Sequence, residues 1–173
     1  MAGLSKLEER VERLEKLEAH RSDVEGIKRV KYKYLRCLDS KLWDEMRDCF
    51  TEDARSDFRS GTWAYDGRDA IIHFLSSALP HKNSVHQAHQ PEIEITGETT
   101  ANAVWSFNDY VLDRKTRKCL QGAGFYYDEY VKLDGEWKIQ LTGYVRTFEE
   151  TWDRDGVQGL ELTANRFEAT EDP

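Results

Sequence analysis

The sequence predicts an α+β fold in which three or four N-terminal helices pack against one face of a strongly curved antiparallel sheet. Apolar residues recur at helical spacing through most of the first 80 residues, and the pattern changes to strands after Pro80. The pair Asp134-Gly135 between two aromatic-rich runs is a strong hairpin signal. Helices against a curved sheet of this kind form a cone that is open at one end.

The chain begins with a charged helix that carries a narrow apolar stripe. Its apolar residues are separated by steps of three and four: Leu4, Leu7, Val11, Leu14 and Leu17. Two heptads are too short for a coiled coil, and so short a helix is marginally stable alone. We therefore expect this helical arm, residues 1–20, to pack on the domain or on a neighbouring subunit.

Further helices are predicted before Pro80. The helical pattern resumes at Asp23 and continues to Leu38, where Asp39 or Ser40 can cap the next helix. That second helix contains Leu42, Met46, Cys49 and Phe50. A third helix follows Asp66-Gly67, and its buried face consists of Ala70, Ile71, Phe74, Leu75 and Leu79.

Strands account for most of the remaining chain. The main predicted strands are residues 86–95, 101–112, 122–133 and 137–148, and a short strand at 54–58 completes a meandering sheet. The helices from residue 21 onward and these strands make one domain, residues 21–150. Residues 151–173 are polar and are expected to form a surface extension that frays at its terminus or covers a pocket mouth.

Composition limits the function classes. The formal net charge of −8, without a cluster of basic and aromatic residues, argues against a nucleic-acid partner. No segment has the eighteen or so apolar residues of a membrane span, and no secretory leader is apparent. The three cysteines lie in hydrophobic periodic segments without metal-ligand spacing, so we expect buried, reduced thiols in a cytoplasmic protein.

Polar residues interrupt the apolar pattern of the helices. Tyr34 lies in the apolar stripe of one helix, and Asp39 lies where that helix gives way to the next. Each has a structural alternative, since Tyr34 can be core and Asp39 can be an N-cap. The 5 Trp, 8 Tyr and 7 Phe exceed what a small core needs, and the surplus can line a cavity.

The strands carry three further candidates. Asp109 follows Trp105 and Phe107 on one strand face; it either pairs with Arg146 or a lysine, or serves a histidine or acts as a base. Arg146 alternates with Tyr144 and Phe148, so it is expected to hold a carboxylate of the protein or of a ligand.

A histidine pair supplies the remaining candidate. His86 and His89 lie three apart, so in a strand they face opposite sides and only one can enter a pocket. Asp39, His86 and Asp109 superficially match a facial triad with one histidine too few, and we predict no metal site.

Taken together, these residues and the order of elements resemble the SnoaL-like branch of the NTF2-like superfamily over residues 20–150. Three strings are more specific and resemble the family of bacterial bile acid 7α-dehydratases: YLRCLDSKLW from Tyr34, HQAHQPEI from His86 and GYVRTFEE from Gly143. The resemblance implies an NTF2-like cone-shaped barrel. It also implies a catalytic set made of Tyr34, Asp39, His86, Asp109 and Arg146.

The resemblance further implies a hydro-lyase that needs neither metal nor organic cofactor. Such an enzyme eliminates the 7-hydroxyl of a 7-hydroxy-3-oxo-Δ4 steroid or bile acid, free or as a coenzyme A thioester, as water. His86 would be the general base and Tyr34 the donor to the leaving hydroxyl, or the reverse. Asp109 would orient His86, while Asp39 would fix Tyr34, a water or the substrate hydroxyl.

A four-ring ligand needs an apolar wall. The candidates for it are aromatic: Trp63, Trp105, Phe107, Phe125, Tyr126 and Tyr144. The family also implies a homo-oligomer, specifically a homotrimer. Two alternatives stay open: an isomerase or dehydratase of another cyclic or polyketide substrate, and a non-catalytic binding subunit resembling the small subunit of ring-hydroxylating dioxygenases.

Overall fold

Helices pack against a single sheet, as predicted. The computed structural model describes residues 2–58 and 61–167. The helices are α1 (Ala2–Ser40), α2 (Trp43–Arg47) and α3 (Arg68–Ala78). The strands are β1 (Phe50–Phe58), β2 (Trp63–Asp66), β3 (Lys82–Ile95), β4 (Thr100–Asp113), β5 (Lys118–Leu133) and β6 (Glu136–Asp153). No helix in these described ranges is long and apolar enough to cross a membrane.

The N-terminal arm and the helix after it form one helix of 39 residues. The apolar stripe of the arm is exposed in the single chain, with Leu4, Leu7, Val11, Leu14 and Leu17 between 45% and 67% accessible. The C-terminal half of α1 enters the core, where Gly26 lets the helix approach β6. A Cβ atom on Gly26 would lie 2.8 Å from the Trp137 ring.

The end of α1 differs from the prediction. Asp39 lies in the last turn of α1 and does not cap the next helix. α2 has Leu42 at its N-cap position, without a side-chain cap, and is one short turn. Cys49 lies beyond α2, and Phe50 begins β1. The side chain of Asp39 is therefore available for another partner.

The sheet has the strand order β2-β1-β6-β5-β4-β3. β3 to β6 form the predicted antiparallel meander, but β1 pairs in parallel with β6, so the sheet is mixed. β2 is an additional strand of four residues that pairs with β1. The sheet curves without closing, and the helices cover its inner face.

The hairpin at Asp134-Gly135 is confirmed. Both residues have positive φ, 51° and 84°, as a two-residue type I′ turn requires. The turn joins β5 to β6 and fixes the pairing of the two longest strands.

A buried ion pair lies beneath the inner face of the sheet. Lys31 Nζ is 2.7 Å from Asp128 Oδ2, and neither side chain is accessible to solvent. Asp128 also accepts hydrogen bonds from Tyr130 (2.8 Å) and Thr142 (2.7 Å). Burial lowers the pKa of Lys31, while Asp128 acts in the opposite direction. The ammonium lies 3.5 Å from the centre of the Tyr126 ring.

The segment after β6 bonds to β3 and to the turn between β4 and β5. β6 extends to Asp153, so the predicted extension begins within a strand. Asn165 Oδ1 accepts a hydrogen bond from Asn83, and the carbonyl of Phe167 accepts one from Arg114. Residues 154–167 do not line the cavity described below. The terminus at which fraying was expected, 168–173, lies outside the described residues.

Candidate active site

A cavity of about 300 Å³ lies between α1, α3 and the inner face of the sheet. One end is polar and the walls are mostly apolar. The lining residues are Tyr34, Leu38, Phe58, Trp63, Phe74, Leu75, Ala78, Leu79, Lys82, His86, Phe107, Asp109, Val111, Leu120, Tyr126, Tyr144, Arg146 and Glu149. An apolar cleft with a few convergent polar groups is the usual form of a small-molecule site.

His86 is anchored at the polar end by Asp39, and we call this pair the Asp39–His86 dyad. β3 directs the imidazole inward, and the last turn of α1 supplies the carboxylate. Asp39 Oδ2 accepts the backbone N–H of His86 at 2.8 Å, and Oδ1 lies 2.7 Å from Nδ1. Because a carboxylate accepts, Nδ1 carries the hydrogen and Nε2 keeps a free lone pair.

His89 does not enter the cavity. Its Nε2 lies 2.9 Å from Asn108 Oδ1 on the exposed side of the sheet. The prediction that only one of the two histidines faces the pocket is confirmed, and that histidine is His86.

Asp109 lies beside His86 but has a different partner. The two residues are directly paired between β3 and β4, yet His86 Nε2 is 3.9 Å from Asp109 Oδ2, too far for a hydrogen bond. Arg146 instead donates to both oxygens, at 2.9 and 2.6 Å. The pairing alternative for Asp109 is the observed one, and Asp39, not Asp109, orients His86.

A β-bulge in β6 adds an acid to the site. Gly124 pairs with Arg146 and Ala123 pairs with Phe148, so Thr147 is an extra residue. The prediction that Phe148 shares the face of Arg146 is wrong, because the bulge turns Phe148 outward, 48% exposed. Glu149 faces inward in its place, with Oε2 2.8 Å from Arg146 Nε. Strict alternation from Arg146 places Glu149 on the outer face, so the sequence alone does not indicate it as a site residue.

A glycine makes room for the arginine. His86, Asp109, Gly122 and Glu149 occupy one row across β3 to β6. A Cβ atom on Gly122 would lie 2.2 Å from Arg146 Nη1 and 2.8 Å from the carbonyl oxygen of Phe148. The absent side chain therefore lets the guanidinium lie over β5 and reach Asp109.

Replacing Gly122 with alanine is expected to lower the free energy of unfolding by about 1–3 kcal/mol, because the added methyl overpacks Arg146 against Asp109. Chemical denaturation measures the effect. Gly156→Ala is the matched control, since a Cβ atom there meets nothing within 4 Å. Equal stability of the two variants would show that Gly122 does not set the position of Arg146.

Three phenols line the cavity: Tyr34, Tyr126 and Tyr144. Burial raises the pKa of Tyr34 and of Tyr126 above the usual value for tyrosine, and nearby Asp128 adds to the effect. Tyr34 and Tyr126 therefore stay protonated at neutral pH. Tyr34 also packs edge-on against Phe50, with 5.6 Å between ring centres.

Four of the six predicted wall residues line the cavity: Trp63, Phe107, Tyr126 and Tyr144. The structure does not bring Trp105 or Phe125 there. Trp105 is fully buried and donates its indole N–H to Tyr130 at 3.2 Å. Phe125 is 43% exposed, because alternation along β5 directs it to the outer face of the sheet.

Two further rings complete the wall. Phe58 stacks on Phe74 and on Tyr144, with ring centres 6.2 and 5.6 Å apart. The sequence predicts only a short strand at Phe58 and a helix face at Phe74, because neither position signals a pocket on its own. Together with Trp63 they form an aromatic wall of the cavity.

Chemically, the site combines a base, neutral proton donors and a fixed cation. His86 Nε2 can act as a base, Tyr34 and Tyr126 can donate protons, and Arg146 supplies the cation. Within residues 2–58 and 61–167, no group of three or more His, Cys, Asp or Glu side chains is arranged to hold a metal ion.

The model of the SnoaL-like domain matches residues 19–142. Among solved structures, a protein of Novosphingobium aromaticivorans DSM 12444, provisionally named a scytalone dehydratase, is 25% identical with a TM-score of 0.71. The match covers 79% of this chain and 91% of that chain. Hexachlorocyclohexane dehydrochlorinase LinA-type3 of Novosphingobium barchaimii LL02 is 14% identical with a TM-score of 0.72, over 85% of this chain and 98% of that chain.

Proposed function

The chain belongs to the SnoaL-like domain family, and from that premise we propose that it is a cofactor-independent dehydratase acting on a 7-hydroxy-3-oxo-Δ4 steroid or bile acid. The substrate is the free acid or its coenzyme A thioester. The enzyme removes the 7-hydroxyl as water and leaves the conjugated Δ4,6 dienone. The observation that carries the proposal is the Asp39–His86 dyad, whose free Nε2 lies at the polar end of a cavity with mostly apolar walls.

His86 is the general base in this scheme. The 3-oxo-Δ4 system acidifies the C6 hydrogen, so an imidazole held within hydrogen-bonding reach can remove it. As the C6–H bond breaks, its electrons move into the conjugated system toward the 3-oxo group. The imidazolium that forms is stabilised by Asp39 at Nδ1 and by Asp109, 3.9 Å from Nε2.

Tyr34 assists departure of the hydroxyl. Its raised pKa keeps the phenol neutral, so it can donate to the 7-oxygen as the C7–O bond breaks. The electron pair of the conjugated system then forms the new C6–C7 double bond. The proton that His86 took from C6 replaces the one that Tyr34 gave to the departing water. Both side chains thereby return to their starting states.

Arg146 acts through the two carboxylates that it contacts, those of Asp109 and Glu149. It holds Asp109 by a bidentate pair and lies 2.8 Å from Glu149. The bidentate pair fixes the position of the Asp109 carboxylate beside His86, where it can balance the imidazolium.

The dimensions and the relatives also support an elimination. Small-molecule sites span about 300–1,000 Å³, and this cavity is at the lower end and open to solvent, so a thioester tail can extend outward. The wall of Phe58, Trp63 and Phe74 suits a flat, fused-ring ligand. The names of the similar structures denote loss of water and loss of hydrogen chloride, and both reactions are eliminations.

The test is ultraviolet absorbance of the purified protein mixed with 7α-hydroxy-3-oxo-Δ4 bile acid, as free acid and as thioester. The extended conjugation of the product moves the absorption band to longer wavelength. A 3-oxo-Δ4 bile acid without the 7-hydroxyl is the control and should give no change. Binding without turnover, for both 7-epimers and both forms, would instead indicate a binding subunit.

We also propose that the protein is a homo-oligomer, specifically a trimer. The outer face of the sheet carries apolar side chains that are 43–51% exposed: Val85, Phe125, Tyr127, Val145 and Phe148. Sedimentation velocity should give about three times the chain mass of 20.2 kDa. A monomer would contradict the proposal.

The free, buried cysteines support a cytoplasmic location, which cell fractionation would test.

A further inference from the structure

A buried serine joins the dyad to a lysine. Ser84 precedes His86 by two residues on β3, so both side chains point to the same face. The Ser84 hydroxyl donates to Asp39 Oδ1 at 2.9 Å, the same oxygen that faces His86 Nδ1. It also accepts a hydrogen bond from Lys41 Nζ at 3.1 Å. Neither Ser84 nor Lys41 lines the cavity.

Lys41 is held in an unusual conformation. It follows α1 directly and has φ of 60°, the left-handed region that few non-glycine residues adopt. Its ammonium turns back over the helix end and also donates to the carbonyl of Leu38 at 3.2 Å. Strained backbone of this kind persists only where surrounding contacts fix it.

The charge on Lys41 sets the direction of the chain of hydrogen bonds. An ammonium has donors only, so the Ser84 oxygen must accept from it and its single hydrogen must point to Asp39. A neutral amine has a lone pair, to which Ser84 can donate instead. The protonation state of Lys41 therefore decides whether Asp39 Oδ1 receives one hydrogen bond or two.

We propose that Ser84 and Lys41 are positioning residues that hold the Asp39 carboxylate and regulate its hydrogen bond to His86. We call this chain the Lys41–Ser84 relay. It deepens the proposed function, because the relay acts on the base of that reaction. Its hydrogen-bond geometry nevertheless exists without any substrate.

The relay should respond to mildly alkaline pH. Burial lowers the pKa of Lys41 to about 8; Asp39 of α1 opposes the shift, and the cations Arg114 and Lys82 reinforce it. As pH rises through this value the ammonium loses its proton and Ser84 is released from Asp39. The His86–Asp39 bond then strengthens, because Oδ1 is no longer shared.

Nuclear magnetic resonance tests the relay without substrate. In the ¹⁵N-labelled protein at pH 7, the Nδ1–H proton of His86 should move downfield in Ser84→Ala and in Lys41→Met. It should keep its wild-type position in Lys41→Arg, which preserves the charge. In the wild type it should move downfield as pH passes about 8, and in Lys41→Arg it should not.

Two results of the resonance experiment overturn the relay. One is a Ser84→Ala spectrum equal to that of the wild type, and the other is an alkaline shift that persists in Lys41→Arg. If solvent exchange broadens the proton, the ¹⁵N shift of Nδ1 from a long-range correlation experiment gives the same comparison. Circular dichroism confirms that each variant is folded.

Kinetics give a second reading that depends on the proposed function. Ser84→Ala should lower kcat by about tenfold, the usual effect of losing a hydrogen bond to a charged group, with KM within about twofold. Ser84→Thr keeps the hydroxyl, so its kcat should equal that of the wild type. No turnover by the wild type, together with the expected resonance shifts, would reject the dehydratase and leave the relay standing. Unchanged kcat in Ser84→Ala would count against the relay.

Discussion

Replacing His86 with alanine is expected to lower kcat for elimination by about 10²–10⁴-fold, the usual contribution of a general base. The substitution removes Nε2, the only lone pair that the dyad presents to the cavity. The apolar wall is untouched, so ligand affinity should change little. The absorbance assay gives kcat, and quenching of the tryptophan fluorescence, to which Trp63 contributes at the cavity, gives the dissociation constant.

His89→Ala is the matched control for this variant. His89 is on the same strand, but it is exposed and bonded to Asn108, so its loss should leave kcat at the wild-type value. Asp39→Asn should be intermediate, because an amide can still contact Nδ1 without stabilising the imidazolium. Full activity in His86→Ala would exclude the proposed mechanism, whatever the substrate.

Replacing Lys31 with methionine is expected to lower the free energy of unfolding by about 3–5 kcal/mol. The change leaves Asp128 fully buried, with the hydroxyls of Tyr130 and Thr142 as its remaining donors. A domain is stable by only about 5–15 kcal/mol, so the variant should unfold at much lower denaturant concentration. Urea denaturation followed by circular dichroism measures the change.

A second substitution separates charge from packing. Adding Asp128→Asn to Lys31→Met removes the uncompensated charge and should recover a large part of the lost stability. If instead the double variant is no more stable than Lys31→Met, the loss comes from the lost contact between the Lys31 ammonium and the Tyr126 ring. A Lys31→Met variant within about 1 kcal/mol of the wild type would contradict the buried ion pair altogether.

Local periodicity accounts for what the sequence could predict. Alternation along regular strands correctly predicted that His86 and His89 face opposite sides and that Asp109 shares a face with Trp105 and Phe107. Helical spacing correctly placed Tyr34 in the core stripe of α1. The Asp-Gly turn correctly joined β5 and β6. These features depend on a few neighbouring residues, which one sequence supplies.

The remaining features depend on how distant elements meet. The local pattern at Asp39 indicates a helix cap. Nothing local shows that β3 lies across the end of α1 and that His86 hydrogen-bonds to Asp39. Trp105 is on the correct face, but its position along β4 places it against Tyr130 in the core, away from the cavity. Glu149 was hidden by one extra residue whose presence shows only in the pairing of β5 and β6.

The extra residue at Thr147 changes which positions of β6 are equivalent to those of a chain with a regular last strand. In such a chain, consecutive inward side chains are two residues apart, whereas Arg146 and Glu149 are three apart. An alignment without a gap would match outward Phe148 to an inward residue and so compare a surface with a cavity. A one-residue gap at 147 restores the correspondence. For the same reason, deletion of Thr147 should leave Arg146 and Glu149 facing inward and Phe148 facing outward.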